Sequence, residues 1–351
     1  MSAGACDDPT WHALPSRPGE APTAAARAAA VARLESWAAA RGARFEALEV
    51  RVDAAGNASA QARRPIGRGE PIVTIPRALM LADRDVGASS PGELAAWLAL
   101  EAARLDSPWR PFLEVMPARF ADMPVFRGGD ELAPIAGTTA RLLAAEAHRE
   151  TLAAYAALPD HVRARVPLAA YAWGRAVVQS RGFNAPFTID PSIAFIPIVD
   201  LMDHARGETT WRYDVAGARY VVTASRDFAA GEAVHLDYGA YGNARLLVDY
   251  GFALPDNPDD ETVLVLAGEP FLVAGPGDGR LADLRETFGW RAIARAAASA
   301  IERLDRLPDR PPAASGSWHA SCALVRAGER RTLARIVAWA ERSCDNVQGR
   351  T

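Results

Sequence analysis

The chain of 351 residues has no lysine: all 39 of its basic side chains are arginine, so no chemistry here can use the protein's own ε-amine. Cysteine is scarce as well. Cys6, Cys322 and Cys344 are too few and too scattered for a disulfide framework or a zinc site, which fits a reducing compartment. No apolar run approaches the roughly 20 residues that span a bilayer. The amino terminus has no basic stretch followed by a hydrophobic signal core, so export is not expected and the expected location is cytoplasmic. A basic excess is also missing. With a formal net charge of -4 and a pI near 5.9, the chain lacks the positive face that phosphate backbones require, so nucleic acid is not an expected partner.

What is present is a large apolar fraction, 50% of residues, enough for two or three packed units of a soluble globular protein. Residues 1–22 mix Pro, Gly, Ser and acidic residues without periodicity and read as a disordered tail. TAAARAAAVARLESWAAA then predicts a helix, with Val31, Leu34 and Trp37 at helical spacing. FEALEVRVDAAGNASAQARRPIGRGEPIVTIPRALML reads as short strands separated by turns. Helical patterns such as ELAAWLALEAARL and TARLLAAEAHRETLAAYAAL follow, over about 85–170. Strand character returns in SIAFIPIVDLM, RYVVTASRDF and EAVHLDYG. After Pro258 the pattern is helical, and 259–351 is expected to form a separate module.

Chemistry concentrates in IPIVDLMDH, where aliphatic residues lead into Asp200, Asp203 and His204. With His235 and Asp237 on a later strand, these could make a metal cage. The sequence carries no H-E-x-x-H, paired-cysteine or EF-hand pattern, and Asp and His serve as commonly in turns and caps. A second candidate, AGPGDGR at Ala274 to Arg280, has glycines that could approach an anion, but it matches no phosphate-loop motif and reads as a turn. No G-x-S-x-G elbow or spaced Cys/His pair is present.

Several segments taken together resemble the SET-domain protein methyltransferases, in the group typified by the Rubisco large-subunit lysine methyltransferase and the actin-histidine methyltransferase. They are LESWAAARGARFEALEVR, PIGRGEPIVTIPRALML, SPWRPFLEVMPARFADMPVF with DELAPIAGT, YAWGRAVVQSRGF, DLMDH, RDFAAGEAVHLDYG and NARLLVDYGF. The resemblance runs from about Leu34 to Pro258. It implies an α+β fold of small sheets with a pseudoknot. The SET domain would occupy 23–258, split by the helical insert, and a helical substrate-recognition-like module would follow.

The resemblance further implies S-adenosyl-L-methionine as cofactor and direct in-line methyl transfer to a deprotonated lysine amine of a protein substrate. The enzyme would be a monomer without membrane association. Tyr238 matches the catalytic tyrosine. Arg181 would meet the cofactor's carboxylate, and Asp203 and His204 would wall its site together with the loop at Gly56, Asn57 and Ala58. Asp200, Tyr213, Tyr250 and Phe183 would lie on the acceptor side. Lysine is preferred because Phe183 stands where the actin-histidine enzyme has an amide side chain.

An ammonium has no lone pair, so a lysine with a solution pKa about 10.4 must shed its proton. An apolar channel and a nearby sulfonium would both favour that loss. Two positions depart from the family pattern: Ser59 stands where the Glu-Gly-x-Gly loop has its second glycine, and Asp203 stands where the family has Asn. A catalytically weak or silent SET-like binding protein, a histidine N-methyltransferase and a metal-dependent hydrolase are therefore carried as alternatives.

Overall fold

The computed structural model describes residues 11–17, 21–184, 192–307 and 316–348, with side chains to 343 in the last helix. In chain order the elements begin with α1 (Ala24–Ala39), β1 (Leu48–Val52), β2 (Ala58–Ala62), β3 (Pro71–Pro76), β4 (Leu81–Ala82), α2 (Pro91–Ala103), α3 (Arg110–Glu114) and α4 (Thr139–Ala156). They continue with α5 (Asp160–Arg163), α6 (Leu168–Arg181), β5 (Phe183–Asn184), β6 (Ile193–Phe195), β7 (Thr209–Asp214) and β8 (Arg219–Ala224). The last are α7 (Asn243–Tyr250), β9 (Thr262–Leu266), β10 (Glu269–Val273), α8 (Gly279–Phe288), α9 (Trp290–Asp305) and α10 (Trp318–Gln348). This is the expected α+β architecture of helices and small antiparallel sheets. Two compact units are formed, Ser16–Arg119 with Ala154–Ala240, and Met1–Pro15 with Phe120–Ala153 and Tyr241–Thr351.

In the first unit, the Thr23 hydroxyl accepts the Ala26 N–H at 3.2 Å and starts α1, whose Ala30, Val31, Leu34 and Ala38 are buried at helical spacing. The β1–β2 hairpin is closed by Asp53, whose carboxylate accepts the Ala55 and Asn57 N–H groups at 2.9 Å. A three-stranded sheet runs β3–β8–β7 and a smaller one runs β4–β6–β5, all antiparallel. The EAVHLDYG stretch forms isolated bridges where the sequence predicts a strand. Val234 N–H reaches Ala60 O at 2.9 Å, and two residues on, Leu236 N–H reaches Asp203 O at 2.8 Å in a parallel pairing of 236 with 204. One short segment thus holds both β2 and the DLMDH stretch.

The second unit differs from the sequence reading in two places. TVLVLAGEPFLV, expected to belong to a helical region, is the β9–β10 hairpin, turned by Ala267 and Gly268, both at positive φ (51° and 86°). Alternate burial along β9 places Leu264 and Leu266 against Val273, Leu281, Ile293, Leu333 and Ile336. The expected tail lies largely outside the described residues, but its Trp11–Pro15 part packs. The Trp11 indole donates to Arg127 O at 2.9 Å and its ring lies tilted against His148 at 4.4 Å, and Leu14 is buried with its N–H on Val125 O. A Trp and a Leu gain more from burial than Pro and Gly nearby gain from disorder. AGPGDGR is a turn in which Asp278 caps α8 by accepting the Arg280 N–H at 3.0 Å. Among the described residues, no helix is long and apolar enough to cross a membrane.

Candidate functional site

Just after β6, Ile198 holds φ 74° and ψ -48° while buried, a conformation that costs a β-branched residue on the order of 1–3 kcal/mol. The strained step starts the 3-10 turn Val199–Leu201, which points the Asp200 side chain into the interior and presents the Met202 carbonyl. Tyr238 meets that carbonyl: its hydroxyl donates to Met202 O at 2.7 Å. Its backbone N–H donates to His204 Nδ1 at 3.1 Å, and the two rings stack with centroids 4.9 Å apart. His204 Nδ1 also lies 3.2 Å from Leu236 O, a contact that would need the opposite tautomer. A peptide N–H can only donate, and Leu236 O already accepts the Ala205 N–H, so the ring proton belongs on Nε2. Burial pushes the His204 pKa down and keeps the ring neutral.

Charge collects beneath this crossing. Arg181 ends α6, followed by Gly182, where a Cβ would stand 2.5 Å from Val178 O and 2.7 Å from Ile193. Its Nη1 donates to the Asp200 carbonyl and stands 3.7 Å from the Asp200 carboxylate, too far for a hydrogen bond. Neither carboxylate oxygen of Asp200 has a hydrogen-bond partner, although the side chain is fully buried. Burial pushes the Asp200 pKa up to about 6, against the pull of Arg181 and Arg27. Arg27, buried on α1, donates from Nη1 to Met116 O at 3.1 Å and leaves Nε unpartnered, as Arg181 does. Two guanidiniums and one carboxylate thus share a buried node without saturating one another, which is uncommon for a purely structural ion cluster.

Asp203 adds a second acid. Its residue is exposed, yet partial burial of the carboxyl is the main cause that lifts its pKa, with Asp53 adding to the rise and His235 and Arg181 opposing it. Asp53 belongs to the β1–β2 turn, in which Gly56 takes a positive φ of 87°, Asn57 bonds Asp53 through its side chain at 3.1 Å, and Ala58 opens β2. Ser59, the departure from the family loop, pairs with Arg51 in the hairpin. Tyr238 is half-buried, and burial raises its pKa.

Around these groups, Phe183 meets the fully buried Tyr220 at 6.1 Å, and Tyr213 sits opposite Tyr220 in the β7–β8 register. Tyr250 belongs to the other unit, where its ring lies 6.3 Å from Tyr241 and 6.0 Å from Phe252. The possible metal ligands have other duties. His235 Nδ1 pairs with Glu208 at 2.8 Å, and Asp237 accepts the Gly207 and Gly239 N–H groups at 2.9 Å. The described residues include no group of three His, Cys, Asp or Glu placed to hold a metal ion. Sequence reasoning missed Arg27 and the Met202 carbonyl. A signal for Arg27 exists, since it occupies the same buried stripe as Ala30, Val31, Leu34 and Ala38.

No protein-family model matches the chain. It is 28% identical over 262 residues to the actin-histidine N-methyltransferase of Rhinolophus ferrumequinum, covering 66% of this chain and 44% of that protein. With the Danio rerio protein of the same name it shares 28% identity over 198 residues, 52% of this chain and 33% of the relative. The chain therefore spans less than half the length of these curated relatives. Among solved structures, the SET domain of LSMT bound to lysine and AdoHcy superposes with a TM-score of 0.69 at 18% identity, covering 90% of this chain and 91% of that one. Rubisco LSMT bound to AdoMet gives 0.68 at 18% identity, over 90% and 92%. The fold is that of the SET domain.

Proposed function

We propose that the chain is an S-adenosylmethionine-dependent protein N-methyltransferase whose acceptor is a lysine side chain. The observation that carries this reading is the node beneath the 204–236 crossing, where Arg27, Arg181, Asp200 and Asp203 offer two positive and two negative groups. S-adenosylmethionine has a carboxylate, an ammonium and a sulfonium, and it supplies the methyl group when bound. The residues present fit that charge pattern: buried guanidiniums with unpartnered Nε donors suit the carboxylate, and Asp200, whose carboxylate oxygens lack hydrogen bonds, together with Asp203, suits the cations. Ser59 and Asp203 depart from the family pattern at the edge of this site, but neither empties it of donors or acceptors.

In this reading, Tyr238 acts by position. Its hydroxyl donates to Met202 O, which fixes the oxygen that would orient a donor N–H of the acceptor amine. Stacking on His204 and the bond from its own N–H fix the phenol before anything binds. Raising its pKa by burial keeps the phenol neutral, which suits a group that must not compete as a nucleophile. A second cation is disfavoured beside Arg27, Arg181 and a sulfonium, so the acceptor amine is pressed toward the neutral form that has a lone pair.

A histidine acceptor is favoured by the names of the curated relatives. Against it stands Phe183, whose ring is committed to Tyr220 and offers an imidazole no hydrogen bond. The test is methyl transfer from tritiated S-adenosylmethionine to lysate proteins, followed by mapping of the labelled residue. Label on lysine supports the assignment; label on histidine overturns the acceptor choice, and binding without transfer to any protein reduces the chain to a silent binder. Because the chain has no lysine, lysine label cannot come from self-modification.

A further inference from the structure

The unit that contains α4, α7 and α10 holds a pair of buried carboxyl groups that the proposed reaction does not use. Glu329, on α10, is 4% exposed. One of its carboxyl oxygens accepts the Thr139 N–H at 2.8 Å, so a side chain 190 positions away caps α4. The Thr139 hydroxyl in turn accepts the Val263 N–H at 3.0 Å. Beside it, Asp260 Oδ1 accepts the Asn243 N–H at 2.9 Å at the start of α7, and its carbonyl accepts the Thr332 hydroxyl at 3.2 Å. Gly328 permits this approach, since a Cβ there would lie 1.9 Å from Asp260 Oδ2.

We propose that Glu329 is a proton-held clamp: neutral, it joins the start of α4 to α10 beside Asp260, which holds the start of α7, and on ionisation it repels Asp260 and loosens that node, so the order of this unit depends on pH. The facing groups are unevenly matched. From α10, Arg331 reaches Asp260 only at 3.5 Å and Arg335 acts on it from farther away, while no arginine among the described residues has a bond to Glu329. From the 256–261 loop come Asp256, Asp259 and Asp260, with Asp256 taking part of Arg331 at 3.5 Å. Thr139, Thr332 and Asn243 contribute only neutral groups.

Burial and the neighbouring Asp260 outweigh the capping donors and push the Glu329 pKa up to about 8, and burial lifts Asp260 to about 6. A raised carboxyl pKa gives stability that is complete below the unfolded value and lost as pH rises through the folded one, so the loss for Glu329 spans about 4.5 to 8.

Hydrogen–deuterium exchange of the full chain, corrected for intrinsic exchange rates, reads this without substrate or cofactor. The amides of 139–144 and 243–250 should lose protection by up to about tenfold per pH unit approaching pH 8 in the wild type. In Glu329→Gln, which keeps an acceptor for Thr139, they should show no such slope. In Asp260→Asn, the midpoint should move to lower pH because the like charge is gone. A flat wild-type profile, a Glu329→Gln profile as steep as the wild type, or an unmoved midpoint in Asp260→Asn would each overturn the clamp.

Discussion

Two buried acids, one in each unit, face opposite circumstances. Asp200 has two guanidiniums near it and no hydrogen bond to either carboxylate oxygen; Glu329 accepts the capping Thr139 N–H and, among the described residues, has no bonded cation. The first pattern leaves donors and acceptors of both signs available to a charged ligand, at some cost to the empty fold. The second satisfies the group internally and stores a proton. Burial alone does not mark a functional carboxyl; what matters is whether the protein itself completes its bonding.

The largest effect that could break this contrast is in stability. Asp200→Asn removes a charge that burial disfavours more than Arg27 and Arg181 favour it, so at pH 7.5 it should stabilise the protein by up to about 3 kcal/mol, whereas Glu329→Gln should change stability by under about 1 kcal/mol. Denaturant unfolding compares them directly. The wild type should also lose the Asp200 contribution as pH rises from about 4 through about 6, because its folded pKa is raised, and Asp200→Asn should not. Equal changes in stability for the two variants would erase the distinction.

Next in size is the rate. Tyr238→Phe keeps the stack on His204 but loses the hydroxyl bonded to Met202 O, so turnover should fall on the order of 10²-fold with cofactor affinity little changed. Single-turnover assays alongside binding titrations separate the two quantities. A smaller effect is expected at Arg27. Arg27→Met keeps most of its packing on α1 and should weaken S-adenosylmethionine binding about tenfold, the range of one charged hydrogen bond. The smallest belongs to Asp203, whose raised pKa means that affinity for a cationic sulfonium should climb as pH rises through its titration. Asp203→Asn should flatten that climb and change affinity only a few-fold near neutrality.

Much of this was legible in the sequence for a physical reason: the segments that resemble the SET group are local, and local pattern survives. The TAAARAAAVARLESWAAA periodicity became α1, ALEVRV became β1, and VDLMDH and HLDYG met at the 204–236 bridge. The misses are tertiary. Arg27 reads as one more arginine in an alanine-rich helix until its partners on other elements are known. Glu329 reads as a solvated helix charge because Thr139 lies 190 positions away. TVLVLAGEPFLV was drowned by the helices that follow it, although alternation and the Ala-Gly turn were both present.

The most direct test is isothermal titration of S-adenosylmethionine into the folded wild-type chain and into Arg27→Met at neutral pH. The account predicts saturable one-to-one binding to the wild type and weaker binding to the variant. A folded wild type that gives neither heat nor a thermal shift with the cofactor would contradict it.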